Sequence, residues 1–262
     1  MKGTVAPVAP RKPRNDAEAI REAVSRPTRR FVPVKSAERQ AALPDHKARD
    51  FLARRRTQTA TAIHAHLSEF GIVVAKGIPN LDRLLDAACD VPEAARPALD
   101  LLAGQLRDLE KRIDAATARV TAAQKVDPLA RRRATIPGLG PIASSAFAAT
   151  TPDVAAFRSA RDYAAWLGLT PRAHSSRCKE RLGRISKAGN RYLRRLLYLG
   201  AMARISARRG RGASSTDAAP DWLDRMLARK PVKIVAVALA ARMARTVWAL
   251  IARGESYRAV PG

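Results

Sequence analysis

Leu99, Leu102, Leu106, Leu109, Ile113, Ala116 and Val120 recur at alternating steps of three and four residues. Such spacing predicts a helix with a coiled-coil seam over about three heptads. Arg107, Asp108, Glu110, Lys111, Arg112 and Asp114 fall on its other faces. The stripe must be buried against a partner. Two are available: the helical stretch at 48–70 of the same chain, or a second copy, which would make the protein a homo-oligomer.

Around this seam the chain divides into an N-terminal part (1–40), a helical or coiled-coil middle (41–130) and a C-terminal domain (131–262). Residues 1–14 carry three prolines and several cations without periodicity, as a basic arm does. Asn15 or Asp16 can cap a short helix that Pro27 stops, and Phe31–Val34 reads as an edge strand because Pro33 cannot donate to a ladder. From Ser36 to Phe70 the pattern is helical, with Phe51, Leu52, Ile63, Leu67 and Phe70 on its apolar side. Asp221–Leu227 reads as a short amphipathic helix. Pro231 opens a terminal helix whose longest apolar run, Ile234–Ala241, is too short to span a bilayer before Arg242. The expected class is mainly α.

Charge narrows the partners. With 49 Lys and Arg against 23 Asp and Glu, the net charge is +26, which makes a polyanion the expected partner and nucleic acid the first choice over a membrane. Between Pro171 and Arg211 there are thirteen Lys and Arg residues, and Glu180 is the only acid. A field of that density neutralises several phosphates and makes binding steeply salt-dependent. Its candidate contacts are Arg172, Arg177, Lys179, Arg181, Lys187, Arg191 and Arg194. Ahead of it, Ile136-Pro137-Gly138-Leu139-Gly140-Pro141 follows the run Arg131-Arg132-Arg133. Gly138 and Gly140 allow a turn whose amides, with the next helix, can grip a phosphate in the manner of a helix-hairpin-helix. Within the field, Ser175 and Ser176 stand among cations that would stabilise the charge of a phosphoryl-transfer transition state, with His174 near for proton transfer. The two cysteines, Cys89 and Cys178, form no CxxC pair, and no apolar leader follows Met1. A reducing, cytoplasmic location at the nucleoid is expected.

Three blocks carry a resemblance: IPGLGPIASSAFAAT, RDYAAWLGLTPRAHSS and KERLGRISKAGNRYLRRLL. Together with Asn15–Ile20, Arg26–Ser36 and Arg229–Lys233, they resemble, over nearly the whole chain, the prokaryotic insertion-sequence transposases of the DEDD type, which act as bridge-RNA-guided serine recombinases. The resemblance implies a RuvC-like, ribonuclease-H-type N-terminal domain whose carboxylates bind Mg2+, and a helical C-terminal domain whose serine attacks DNA. It assigns that serine to Ser176, although the glycine that follows it in the family is Arg177 here. Of the paired aspartates three residues apart, the second corresponds to Asp16 and the first falls at Pro13; the family's earlier acidic strands would precede residue 1. Asp16 alone is therefore an incomplete metal site, and no Mg2+ is expected on this chain. The expectation is a truncated transposase that binds DNA and a guide RNA and cuts through Ser176. The alternative is an inactive nucleic-acid-binding remnant.

Overall fold

The seam at 99–120 and the terminal helix each bury an apolar stripe, in different parts of the fold. A computed structural model describes residues 17–18, 21–22, 24–25, 35–176, 179–210, 221–255 and 257, with the backbone alone for 78, 173–176 and 179–182. The chain separates into two units, Met1–Lys35 and Ser36–Gly262. In the first, residues 17–18, 21–22 and 24–25 are helical; Asp16 and the strand expected at Phe31–Val34 lie outside the described residues. The second unit is mainly helical.

It opens with α1 (Ala37–Ala41), capped by the Ser36 hydroxyl, and the long α2 (Leu43–Glu69). Helix α3 (Leu81–Ala87) and two short 3-10 turns lead to α4 (Arg96–Val126), which contains the seam. Leu99, Leu106, Leu109, Ile113, Ala116 and Val120 are all buried within the single chain. Their neighbour is α2, which runs antiparallel: Leu67 shares a cluster with Leu99, Arg49 donates to the Thr117 hydroxyl at 2.7 Å, and Arg119 pairs with Asp45 at 3.1 Å. Of the two partners open to the seam, the chain's own helix α2 is the one that covers it. Helix α2 brings no second heptad stripe; its buried positions are His46, Thr59, Ile63 and Leu67, and Phe51 and Phe70 stay 50% and 44% exposed. The pairing is a helical hairpin between unlike helices.

Helix α5 (Pro128–Ala134) is capped by Asp127, whose carboxylate accepts from the Leu129 amide at 2.8 Å. Then come α6 (Pro141–Thr150), α7 (Ala160–Trp166), the hairpin β1 (Pro171–Ser176) with β2 (Lys179–Ile185), α8 (Arg191–Gly210), α9 (Trp222–Arg229) and α10 (Val232–Arg253). By length and composition α10 could cross a membrane. Its Val235, Ala236, Leu239, Ala240, Met243, Ala244 and Val247 instead fill a core with Tyr163, Leu193 and Leu197 from α7 and α8.

The start of α2 joins this core through polar contacts. His46, 2% exposed, has Nε2 at 3.1 Å from the Ser145 hydroxyl of α6 and Nδ1 at 3.3 Å from the Tyr192 hydroxyl of α8. Asp50 pairs with Arg195, and Arg39 donates to the Thr151 carbonyl. Burial, reinforced by Arg49 and opposed by Asp45, holds the His46 pKa below the ordinary 6.5. The unfolded chain therefore takes up this proton first as pH falls. His46 contributes stability that is complete above pH 6.5 and declines below it toward the depressed folded value. Urea midpoints measured from pH 7.5 down to 5.5 should fall, and His46→Gln should flatten that dependence. In the same assay Leu106→Ala, at a fully buried seam position, should cost about 2–5 kcal/mol. Leu101→Ala, at a position 74% exposed, should stay within about 0.5 kcal/mol.

Candidate functional site

Antiparallel pairing sets the geometry of the basic segment. Ser176 pairs with Lys179, Ser175 with Glu180, His174 with Arg181 and Ala173 with Leu182, so a two-residue connection joins the strands. Directly opposed residues occupy the same face of a pair, and alternate residues along a strand return to it. Ser176, His174, Lys179 and Arg181 thus hold positions on one face, while Glu180 falls on the other. Two residues of strand separate His174 from Ser176, about 6.6 Å along the backbone. Arg177, in the connection, lies outside the described residues, as does Asp16.

The hairpin's base is tightly held. Gly168 and Gly189 both have positive φ, and their backbones cross so closely that a Cβ on Gly168 would run into the Ala188 backbone and one on Gly189 into the Trp166 carbonyl. The amides of Ser186 and Lys187 donate to the carbonyls of Thr170 (2.9 Å) and Gly168 (3.1 Å). Arg194 closes the crossing: one nitrogen donates to both the Leu167 and Ala188 carbonyls at 2.9 Å. Partial burial and the nearby Arg191 lower its pKa from the ordinary guanidinium value. Arg172 reaches the Ser186 carbonyl at 3.1 Å. Two of the predicted phosphate contacts are therefore engaged in fixing the hairpin. Lys187 and Arg191 are exposed; Lys187 has φ 55°, and Arg191 begins α8, which Asn190 caps by accepting from the Tyr192 and Leu193 amides.

The glycine turn stands apart. Gly138 does take positive φ (90°), but a Cβ there would lie 2.8 Å from the Gly200 carbonyl oxygen and 3.0 Å from Met243 Cε. Its close approach is to α8, and the helix that follows is buried from Ala143 through Thr150. Gly200 is nine residues along α8 from Arg191, about 14 Å at helical rise. Gly140, by contrast, is exposed at the N-cap of α6 with open space where a Cβ would go.

The strand pair was not visible in the sequence as a turn motif, because Arg177-Cys178 is not a preferred two-residue hairpin connection. Gly168 and Gly189, one on each side of the basic segment, are the available clue to the crossing beneath it.

Gly138→Ala should destabilise the fold by about 1 kcal/mol or more, from backbone strain and the clash with α8, whereas Gly140→Ala should cost less than that. Arg194→Ala should cost about 1.5–3 kcal/mol, since it removes charged hydrogen bonds to two carbonyls. Denaturant unfolding checks all three.

Residues 130–215 match the model of the "Transposase IS116/IS110/IS902 family". The chain is 44% identical over 253 residues to a Sinorhizobium fredii protein named as transposase y4pF/y4sB, covering 94% of this chain and 64% of that one. It is 42% identical over 250 residues to a Pseudomonas aeruginosa protein named as a family 20 transposase, covering 93% and 73%. It is 34% identical to the transposase for insertion sequence element IS1111A of Coxiella burnetii, covering 94% and 68%. The chain thus spans roughly two thirds of the length of these relatives.

Proposed function

Because the chain belongs to the IS116/IS110/IS902 family of transposases, we propose that it binds DNA of an insertion sequence and that Ser176 is the nucleophile that cuts and rejoins the strand. One observation carries the reading: the hairpin register gathers Ser176, His174, Lys179 and Arg181 on one face and leaves Glu180 on the other. In the proposed step the Ser176 oxygen attacks a backbone phosphorus. An O–P bond forms, the bond from phosphorus to one neighbouring nucleotide breaks, and that nucleotide leaves as a free hydroxyl. The serine proton passes to a base, for which His174 is the candidate, and a proton is returned to the departing oxygen. Lys179 and Arg181 offset the charge that develops on the phosphate. Reversal against a different strand's hydroxyl rejoins the DNA.

Lys187, Arg191 and the exposed Gly140 at the α6 start are proposed as phosphate contacts, while Gly138 serves packing. A guide RNA is proposed as the second ligand of the basic field, and the cytoplasm as its location. Residues 1–40 are read as part of a RuvC-like domain and 131–262 as the transposase domain. The family resemblance implies Mg2+. Among the described residues no group of three or more His, Cys, Asp or Glu side chains is placed to hold a metal ion, and Asp16 lies outside them.

Ser176→Ala should reduce strand joining to background in an assay with insertion-sequence ends, leave DNA affinity within about twofold, and abolish the covalent protein–DNA adduct trapped on nicked DNA; unchanged joining sinks the assignment. An adduct absent from the unsubstituted protein, with binding intact, favours a binding-only role. Lys187→Ala combined with Arg191→Ala should lower the slope of log affinity against log salt by about 1.8 on duplex DNA.

A further inference from the structure

Beside the base of the hairpin lies a half-open groove of about 790 Å3, between α7, the hairpin and α10. Its floor is apolar: Leu169, Ile185, Ile234, Val237 and Ala241, with Trp222 from the start of α9. Ile234 is 54% exposed there. The groove is also lined by five cations, Arg161, Arg184, Lys187, Lys233 and Arg245, and by no carboxylate. All five are exposed, and among the described residues no salt bridge engages any of them.

Helix α10 explains the arrangement. Val235, Leu239, Met243 and Val247 face the core. Ile234, Val237, Ala238 and Ala241 form a second apolar stripe on the groove side, bracketed by Lys233 and Arg245. Those two cations are twelve residues apart, about 18 Å along the helix. At the ~3.4 Å rise of a stacked strand, that span holds about five nucleotides.

We infer that this groove binds an unpaired stretch of DNA, with bases on the apolar floor and phosphates on the cationic rim. The inference rests on the proposed DNA-handling role and specifies which form of DNA the groove takes. A duplex keeps its base faces stacked and paired and has nothing to offer an apolar floor. An unpaired strand exposes those faces, and sites for single strands combine a positive track with apolar or aromatic platforms. The volume falls in the range of roughly 300–1,000 Å3 that encloses small ligands, enough for flat rings. Direction matters as well: Pro171 and Ile185, the first residue of β1 and the last of β2, are groove walls. A strand lying in the groove therefore leads to the hairpin that carries Ser176.

The test uses the full chain and one 15-nucleotide sequence prepared as single-stranded DNA, duplex DNA and RNA, with binding read by fluorescence anisotropy. Ala238→Leu with Ala241→Leu fills the floor without changing charge. It should weaken single-stranded DNA at least fivefold and change duplex affinity less than twofold. Lys233→Ala with Arg245→Ala should lower the single-strand salt slope by about 1.4 and answers the same question should the filled variant fail to fold. Equal loss on both DNA forms, or no loss on the single strand, overturns the groove assignment while leaving DNA binding intact. RNA preferred tenfold over single-stranded DNA overturns the assignment to DNA. Unchanged single-strand binding with altered sedimentation of the protein makes the groove a protein interface and overturns it too. Binding to none of the three overturns the underlying nucleic-acid reading as well.

Discussion

Three parts of the C-terminal core meet where Gly138, Gly200 and Met243 touch. The turn before α6 can lie on α8 only because neither glycine carries a side chain there, and Met243 of α10 closes the contact from the third side. That approach sets the separation between α8 and the buried α6, and with it the place of α10. The hairpin's base hangs on the N-terminal turn of α8 through Arg194, and one wall of the groove is α10. A backbone contact with no chemistry of its own thus governs where the hairpin and the cationic groove sit.

Charge in this chain has two uses that a count of arginines does not separate. Arg39, Arg132, Arg172 and Arg194 donate to backbone carbonyls, and Arg119, Arg195 and Arg208 pair with carboxylates. These are tied up in holding elements together. Arg161, Arg184, Lys233 and Arg245 line the groove without a salt bridge among the described residues. Self-repulsion in a +26 chain is therefore eased at some positions by internal acceptors and left for a polyanion at others.

The helices were legible because their signals are local. The seam gave α4, and Pro231 stands at the N-cap of the terminal helix. The helix expected at Asp221–Leu227 is α9, with Asp221 in a capping box. What escaped depends on distant partners. The seam could not say that α2 would cover it, since α2's buried residues are an imidazole, a threonine and two aliphatics without heptad spacing. Phe51 and Phe70 fall on the apolar side of the helical pattern, yet they stay 50% and 44% exposed, Phe51 with the Arg55 guanidinium over its ring. The hairpin was hidden because its alternation is one of charge and small polar groups. Gly138 was identified correctly as a special backbone position, but only the fold reveals that its close neighbour is a helix of the same chain. The resemblance singled out Ser176 from the serine pair; His174, Lys179 and Arg181 stood beside it in the sequence, and the strand register puts their positions on one face.

Helix α2 begins among Ser145, Tyr192 and Arg195 and ends in a separate apolar cluster containing Ile63 and Leu67. From His46 to Leu67 the axis runs about 31 Å. The helix therefore ties two clusters together: its first turns are held by hydrogen bonds to α6 and α8, and its length is packed along α4. A tilt of about 5° at His46 would displace the Leu67 end by about 3 Å, a shift that this packing resists.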